Sequence, residues 1–247
     1  MLLTMPLHAV TEVYGEAGLR ERFALEIARF PAPARDRLTE AMTLAAELHR
    51  DDIRVREPYL NHLLRVTIRI ICYYRIDDLD VLVAALLHDA VEDHPEDLGG
   101  TPDQALATLA ERFGPRVAEL VGAVTNPAWV PGRHPYEQYR DHVTESLDGN
   151  PWARVIKLSD FTDNGVGVIH TTGPKLRSAA TKYAPLVPVL RELVARPDTP
   201  LAQDVKAHIA RQLNLAEQRF AAILAEPEPE PQPQPASAPE PEPTPES

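Results

Sequence analysis

His88 and Asp89 stand at the end of the apolar run Ala84-Ala-Leu-Leu, and Glu92 and Asp93 follow at once. Burying ionised carboxylates beside Val81, Leu82, Ala85 and Leu86 is costly unless they are paired or bound to a cation. On a continuous helix, His88 with Glu92 and Asp89 with Asp93 are i,i+4 pairs, and Asp89 with Glu92 is i,i+3, so the four crowd one face. A divalent metal with an acidic group beside it accounts for such crowding. Two further segments carry matching chemistry. Pro58-Tyr-Leu-Asn-His62 places a histidine near the start of a preceding helix, and Arg154-Val-Ile-Lys-Leu-Ser-Asp160-Phe-Thr-Asp163-Asn164 ends another apolar helix in carboxylates and an amide. His62, His88, Asp89 and Asp160 make a mixed nitrogen and oxygen set. Such a set suits Mn, Fe, Co, Ni or Zn and excludes thiolate-selective metals. Four protein ligands in an octahedral shell leave about two positions for water and substrate, which is the arrangement for activating water.

The elements that must position these groups read as helices. Leu38, Met42, Ala45 and Leu48 recur at helical spacing over about 36–50. Long apolar helices are expected over 59–75 and 78–93, joined at Arg75-Ile-Asp-Asp with Asp78 as N-cap. Thr101-Pro-Asp-Gln104 combines a cap, a proline at the first helical position and a capping-box glutamine. That helix should stop at Gly114, and Pro115 should open the next, through Val117, Leu120, Val121 and Val124. Residues 127–135 read as a loop, and helices are expected at about 136–147, 151–164, 174–194 and 201–225. An N-terminal helix is expected around Leu19–Arg29. No alternating strand pattern and no internal repeat is present, so the fold class is all-α.

The 247 residues suffice for one domain with a large core. The boundaries expected are an N-terminal extension over 1–33, the main domain over 34–225 and a tail over 226–247. The tail is a Pro/Glu-rich low-complexity stretch that cannot build a core, so it should be disordered and extended, a solubilising tail or a docking segment for a partner. It holds six glutamates and no basic residue, which leaves −6 of the net −12 on the rest of the chain. An acidic surface argues against general nucleic-acid binding but leaves room for a phosphorylated small molecule. No apolar run is long enough to span a bilayer, and the N-terminus lacks the basic flank of a signal peptide. A single cysteine, Cys72, reads as core packing. The expected compartment is the cytoplasm.

Six blocks in order now carry a resemblance: Tyr59-Leu-Asn-His62, Ala84-Ala-Leu-Leu-His88-Asp89-Ala-Val-Glu92-Asp93, Phe113-Gly114, Leu120-Val-Gly-Ala-Val-Thr125, Ile156-Lys-Leu-Ser-Asp160 to Asn164, and Tyr183-Ala-Pro-Leu186. Over about 36–190 the chain resembles the hydrolase domain of the RelA/SpoT homologues, a branch of the HD superfamily, in its stand-alone small alarmone hydrolase form. The resemblance implies an HD-domain bundle of about eight to ten helices. It implies one Mn²⁺ on His62, His88, Asp89 and Asp160, with Glu92 and Asp93 positioning and deprotonating the attacking water. The implied reaction is hydrolysis of the 3′-pyrophosphate of guanosine tetra- and pentaphosphate to GDP or GTP and pyrophosphate. The synthetase of long family members needs an α/β region after the hydrolase. Only about sixty residues follow Pro188, a helix and a tail, so synthesis is not expected, and the chain would oppose an alarmone synthetase.

The substrate side departs from the family. Arg54 matches an arginine that stacks on the guanine, and Val55 replaces the lysine beside it. Asp163 stands where a histidine is usual and would repel a phosphate unless paired with a base; Gly165 and Gly167 suggest an altered loop. Asn164 can hydrogen-bond a ribose or phosphate. Among basic residues, Lys157 and Lys182 rank first for phosphate contact, ahead of Arg154, Lys175 and Arg177. Tyr183 can pack against sugar or base, whereas Tyr136 and Tyr139 read as a packed face. His49, near a helix end, reads as structural or capping, and His94 has no partner pattern. The departures keep two alternatives open: a phosphohydrolase acting on another nucleotide, such as NADPH or a nucleoside monophosphate, and a nucleotide-sensing HD protein without turnover.

Overall fold

Leu60–Cys72 forms a helix that is buried on every side up to Ile71. In the computed structural model, which describes residues 1–54, 57–170 and 174–226, this helix is the axis of the molecule. In chain order the helices are α1 (Leu7–Ile27), α2 (Ala32–Leu48), α3 (Leu60–Cys72), α4 (Leu79–Leu86), α5 (Ala90–Asp93), α6 (Pro102–Phe113) and α7 (Pro115–Val124). They continue with α8 (Pro135–Asp148), α9 (Pro151–Asn164), α10 (Pro174–Tyr183), α11 (Leu186–Ala195) and α12 (Gln203–Ala225). Helices α1, α4 and α9 all pack on α3. Leu63, Leu64, Ile68 and Ile70 of α3 meet Leu19 and Phe23 of α1 and Leu158 and Phe161 of α9 within one continuous apolar core.

The local signals act as their chemistry requires. Asp78 accepts from the backbone N–H of Asp80 and Val81 at the start of α4. Arg116 of α7 clamps the same carboxylate through two 2.7 Å bonds. Thr101 caps α6, and Gly114 (φ 90) turns the chain between α6 and α7, a left-handed position that favours glycine.

The all-α expectation holds; the one sheet among the described residues is a two-stranded antiparallel hairpin, β1 (Ile53–Arg54) and β2 (Glu57–Pro58). Strands of two residues carry no alternation, so no periodicity announces them. Glu57 anchors this hairpin to α3 through Arg65, at 2.7 and 2.9 Å. Two expected long helices are split. The one over 78–93 breaks at Leu87-His88-Asp89, and the one over 174–194 breaks at Ala184-Pro185, where proline has no N–H to continue the ladder. The N-terminal helix begins at Leu7, earlier than expected, with a kink at Gly15 (φ 63). Val55 and the tail beyond Glu226 lie outside the described residues. No helix among the described residues is long and apolar enough to cross a membrane.

Because Asp78 both caps α4 and holds α7, Asp78→Ala is expected to cost about 0.5–2 kcal/mol from the cap alone. Differential scanning calorimetry should register this as a fall of about 2–4 °C per kcal/mol.

Candidate active site

Three elements deliver the histidines and aspartates. His62 comes from the first turn of α3, His88 and Asp89 from the turn between α4 and α5, and Asp160 from α9. His62 Nε2 lies 3.4 Å from Asp160 Oδ1 and 3.7 Å from Asp89 Oδ2; His88 Nε2 lies 3.2 Å from Asp89 Oδ2 and 3.9 Å from Asp160 Oδ1. The expectation that His88, Asp89, Glu92 and Asp93 share one helical face does not hold. The chain leaves the helix at Leu87, and consecutive residues that would diverge on a helix instead meet around one point.

The donor set fits a divalent cation. His88 Nδ1 is 2.9 Å from the Ala85 carbonyl, which can only accept, so the proton sits on Nδ1. His62 Nδ1 is 2.9 Å from a carboxylate oxygen of Asp163 and carries its proton for the same reason. Both Nε2 atoms therefore present lone pairs, and both are buried without a hydrogen-bond partner. Two orphaned imidazole nitrogens beside two carboxylates make a candidate donor set for a metal of the Mn-to-Zn class. Burial works against charge on His88, yet Asp89 and Asp160 outweigh it and raise its pKa to about 9. The centre is thus a sink for positive charge, for which a proton and a metal compete.

Asp163 has the opposite role from the one its position suggests. It is buried, at 6% exposure, and is paired with bases. Arg65 reaches it at 3.0 Å, Arg69 at 3.0 Å, and His62 donates to it. Burial alone would raise its pKa, but Arg65, the His62 bond and Arg69 hold it well below the usual carboxylate range. The sequence carries part of the signal: Arg65 and Arg69, at i,i+4 inside a mostly apolar helix, require a counter-charge, though not which residue supplies it.

A cleft of about 220 Å³ opens beside Asp89 and Asp160. Arg54, Lys157, Asn164, Lys182 and Tyr183 all line it, as does Glu92. An adjoining hollow of about 270 Å³ shares Arg54, Asn164 and Tyr183 and adds Lys175. Arg54 donates to Asn164 Oδ1, whose amide in turn donates to Asp160 at 2.5 Å. Lys157 is 3.0 Å from Asp160 Oδ2, and Lys182 lies 4.5 Å from the centroid of Tyr139. Tyr139, expected only to pack, therefore floors the cationic side of the cleft. Tyr59 donates to Asp89 Oδ2 at 2.8 Å, and Asn126 holds the Glu92 carboxylate at 2.8 and 2.9 Å; neither role was legible in advance. Asp93 is not among the residues lining the cleft; burial and the charges of Asp89 and Glu92 raise its pKa to about 6. Arg154 is structural: it is fully buried against Asp198, Thr199 and the Leu147 carbonyl. Arg177 bonds the Ile223 and Glu226 carbonyls, away from the cleft.

Comparison with known proteins agrees with this geometry. Residues 41–143 match the HD domain family. A guanosine-3′,5′-bis(diphosphate) 3′-pyrophosphohydrolase MESH1 of Mus musculus is 36% identical over 127 residues, which is 50% of this chain and 64% of that protein. A protein of the same enzymatic description from Aquifex aeolicus is 32% identical over 152 residues, 61% of this chain and 20% of its own length. The chain thus spans less than two thirds of the curated relatives it matches. A solved structure described as a metazoan ortholog of SpoT that hydrolyzes ppGpp superposes with a TM-score of 0.55 at 27% identity, covering 72% of this chain and 96% of that one.

Asp163→Asn strips the counter-charge from two buried arginines and loosens His62. It is expected to cost about 3–5 kcal/mol in urea denaturation. It should also weaken Mn²⁺ binding about 10–100-fold by titration calorimetry.

Proposed function

We propose that the chain belongs to the HD superfamily, as a relative of the RelA/SpoT-type hydrolases, and that it is a metal-dependent phosphohydrolase that removes the 3′-pyrophosphate of guanosine tetra- and pentaphosphate. The observation that carries this is the convergence of two orphaned histidine Nε2 atoms with Asp89 and Asp160 at the edge of a cleft rimmed by Lys157, Lys182 and Arg54. His62, His88, Asp89 and Asp160 would hold one divalent metal, and we assign Mn²⁺. Bound there, the metal supplies a Lewis acid that acidifies water and offsets charge on phosphoryl oxygens.

The remaining work falls to the chain's own groups. Glu92, steadied by Asn126 at the cleft wall, is placed to accept the proton of the attacking water. Asp93, set behind the cleft lining with its pKa raised to about 6 by burial and the charges of Asp89 and Glu92, is the second acid–base group. Lys182 faces phosphate oxygens with least competition, since Lys157 already pairs with Asp160. Burial and the Lys157 charge lower the Lys182 pKa from its ordinary value, and an arriving phosphate would oppose that shift. Arg54, fixed by Asn164, offers a planar cation to the base, with Tyr183 beside it. The products, pyrophosphate and a nucleoside 5′-di- or triphosphate with a free 3′-hydroxyl, make the chain the counterweight of an alarmone synthetase in the cytoplasm.

The test is pyrophosphate release from guanosine tetraphosphate with Mn²⁺. Release that disappears in His88→Ala/Asp89→Ala is the expected result; none from the wild-type chain, with metal bound, discards this substrate and turns the search to NADPH and other nucleotides. Glu92→Gln and Asp93→Asn should each lower kcat by about 10²–10⁴ with metal content unchanged, as loss of a general base requires. Nucleotide binding that persists with no turnover in the wild-type chain would identify a sensor instead.

A further inference from the structure

We propose that His49, Asp52 and His94 form a second cation site, for a borderline divalent transition metal such as Zn²⁺, separate from the centre built on His62, His88, Asp89 and Asp160. His49 closes α2 and His94 closes α5, so two segments remote in sequence meet here. His49 Nδ1 and His94 Nε2 both lie 2.7 Å from Asp52 Oδ2 and 3.2 Å from each other. Metal–nitrogen bonds of about 2.0–2.1 Å at tetrahedral angles separate two ligand nitrogens by about 3.3 Å. The imidazole spacing therefore already matches one shared ion, and the Asp52 oxygen, now in hydrogen-bond contact with both nitrogens, would draw back by about 0.6 Å to join the shell.

The surroundings are those of a ligand set. The His49 ring is buried, at 2% exposure, and stacks on Tyr59 with centroids 4.6 Å apart and planes 9° apart, which fixes its orientation. Burial favours its neutral form, the one that ligates. Asp97 Oδ2 stands 3.5 Å from the other nitrogen of His94, where an outer carboxylate orients a metal-bound imidazole. The Asp52 side chain is 35% exposed, so water can complete the shell and an ion can enter. Two imidazoles and one carboxylate form the N₂O set that zinc takes in three-ligand sites with an open position. An ion here would tie the strand leading to Arg54 to the segment bearing Glu92 and Asp93. The two walls of the cleft would then be joined at their base, whatever the substrate.

The experiment uses the full chain, stripped with chelator, reloaded with Zn²⁺, desalted and counted by plasma mass spectrometry. The wild-type chain should hold two ions, and His94→Ala and Asp52→Asn should each hold one, with unchanged circular dichroism. His88→Ala should also hold one, and adding His94→Ala to it should remove that ion. An ion count in both His94→Ala and Asp52→Asn equal to that of the wild-type chain overturns the proposal, as does a His88→Ala chain that binds none.

Discussion

A carboxylate taken out of water must find positive charge, and Asp163 finds it in two arginines of the most buried helix. That ion-pair cluster ties α9 to α3 and, through Arg65 and Glu57, ties the hairpin to both. His62 donates into the same carboxylate, so its ring is turned with Nε2 outward before any ligand arrives. The metal centre, the Arg54 arm and the α3–α9 packing therefore share one electrostatic hub. Apolar groups in place of the hub could preserve stability; they could not orient the imidazole.

The break after Leu86 matters in the same way. An unbroken helix would hold His88 and Asp89 apart and expose one of them. The turn instead lets both meet His62 and Asp160, while the short α5 carries Glu92 to the cleft wall. Local helical hydrogen bonds are given up at the place where the side chains must converge, a trade that functional segments commonly make.

Much of this was legible in the sequence, and the misses have physical causes. His62, His88, Asp89 and Asp160 stood out because their residue types contradict the apolar segments that hold them, and the cleft residues Arg54, Lys157, Asn164, Lys182 and Tyr183 followed from their matching blocks. Helix caps at Asp78 and Thr101 are local chemistry and read directly. The break at His88 was hidden because Leu87 to Asp93 contains no glycine or proline to mark it. The hairpin was too short to show a period. The pairing of Asp163 with Arg65 and Arg69, and the place of Tyr139 beneath two lysines, depend on which helices face each other, and spacing along one chain does not encode that.

His62 and Asp160 come from helices far apart in the sequence, joined only when α3 and α9 have packed. The unfolded chain has no such centre, so an ion bound there adds its binding free energy to folding, by RT ln(1 + [M]/Kd), about 2.7 kcal/mol at a hundredfold excess over Kd. By that linkage, loss of an ion from this candidate site would populate the unfolded chain and expose the protein to proteolysis.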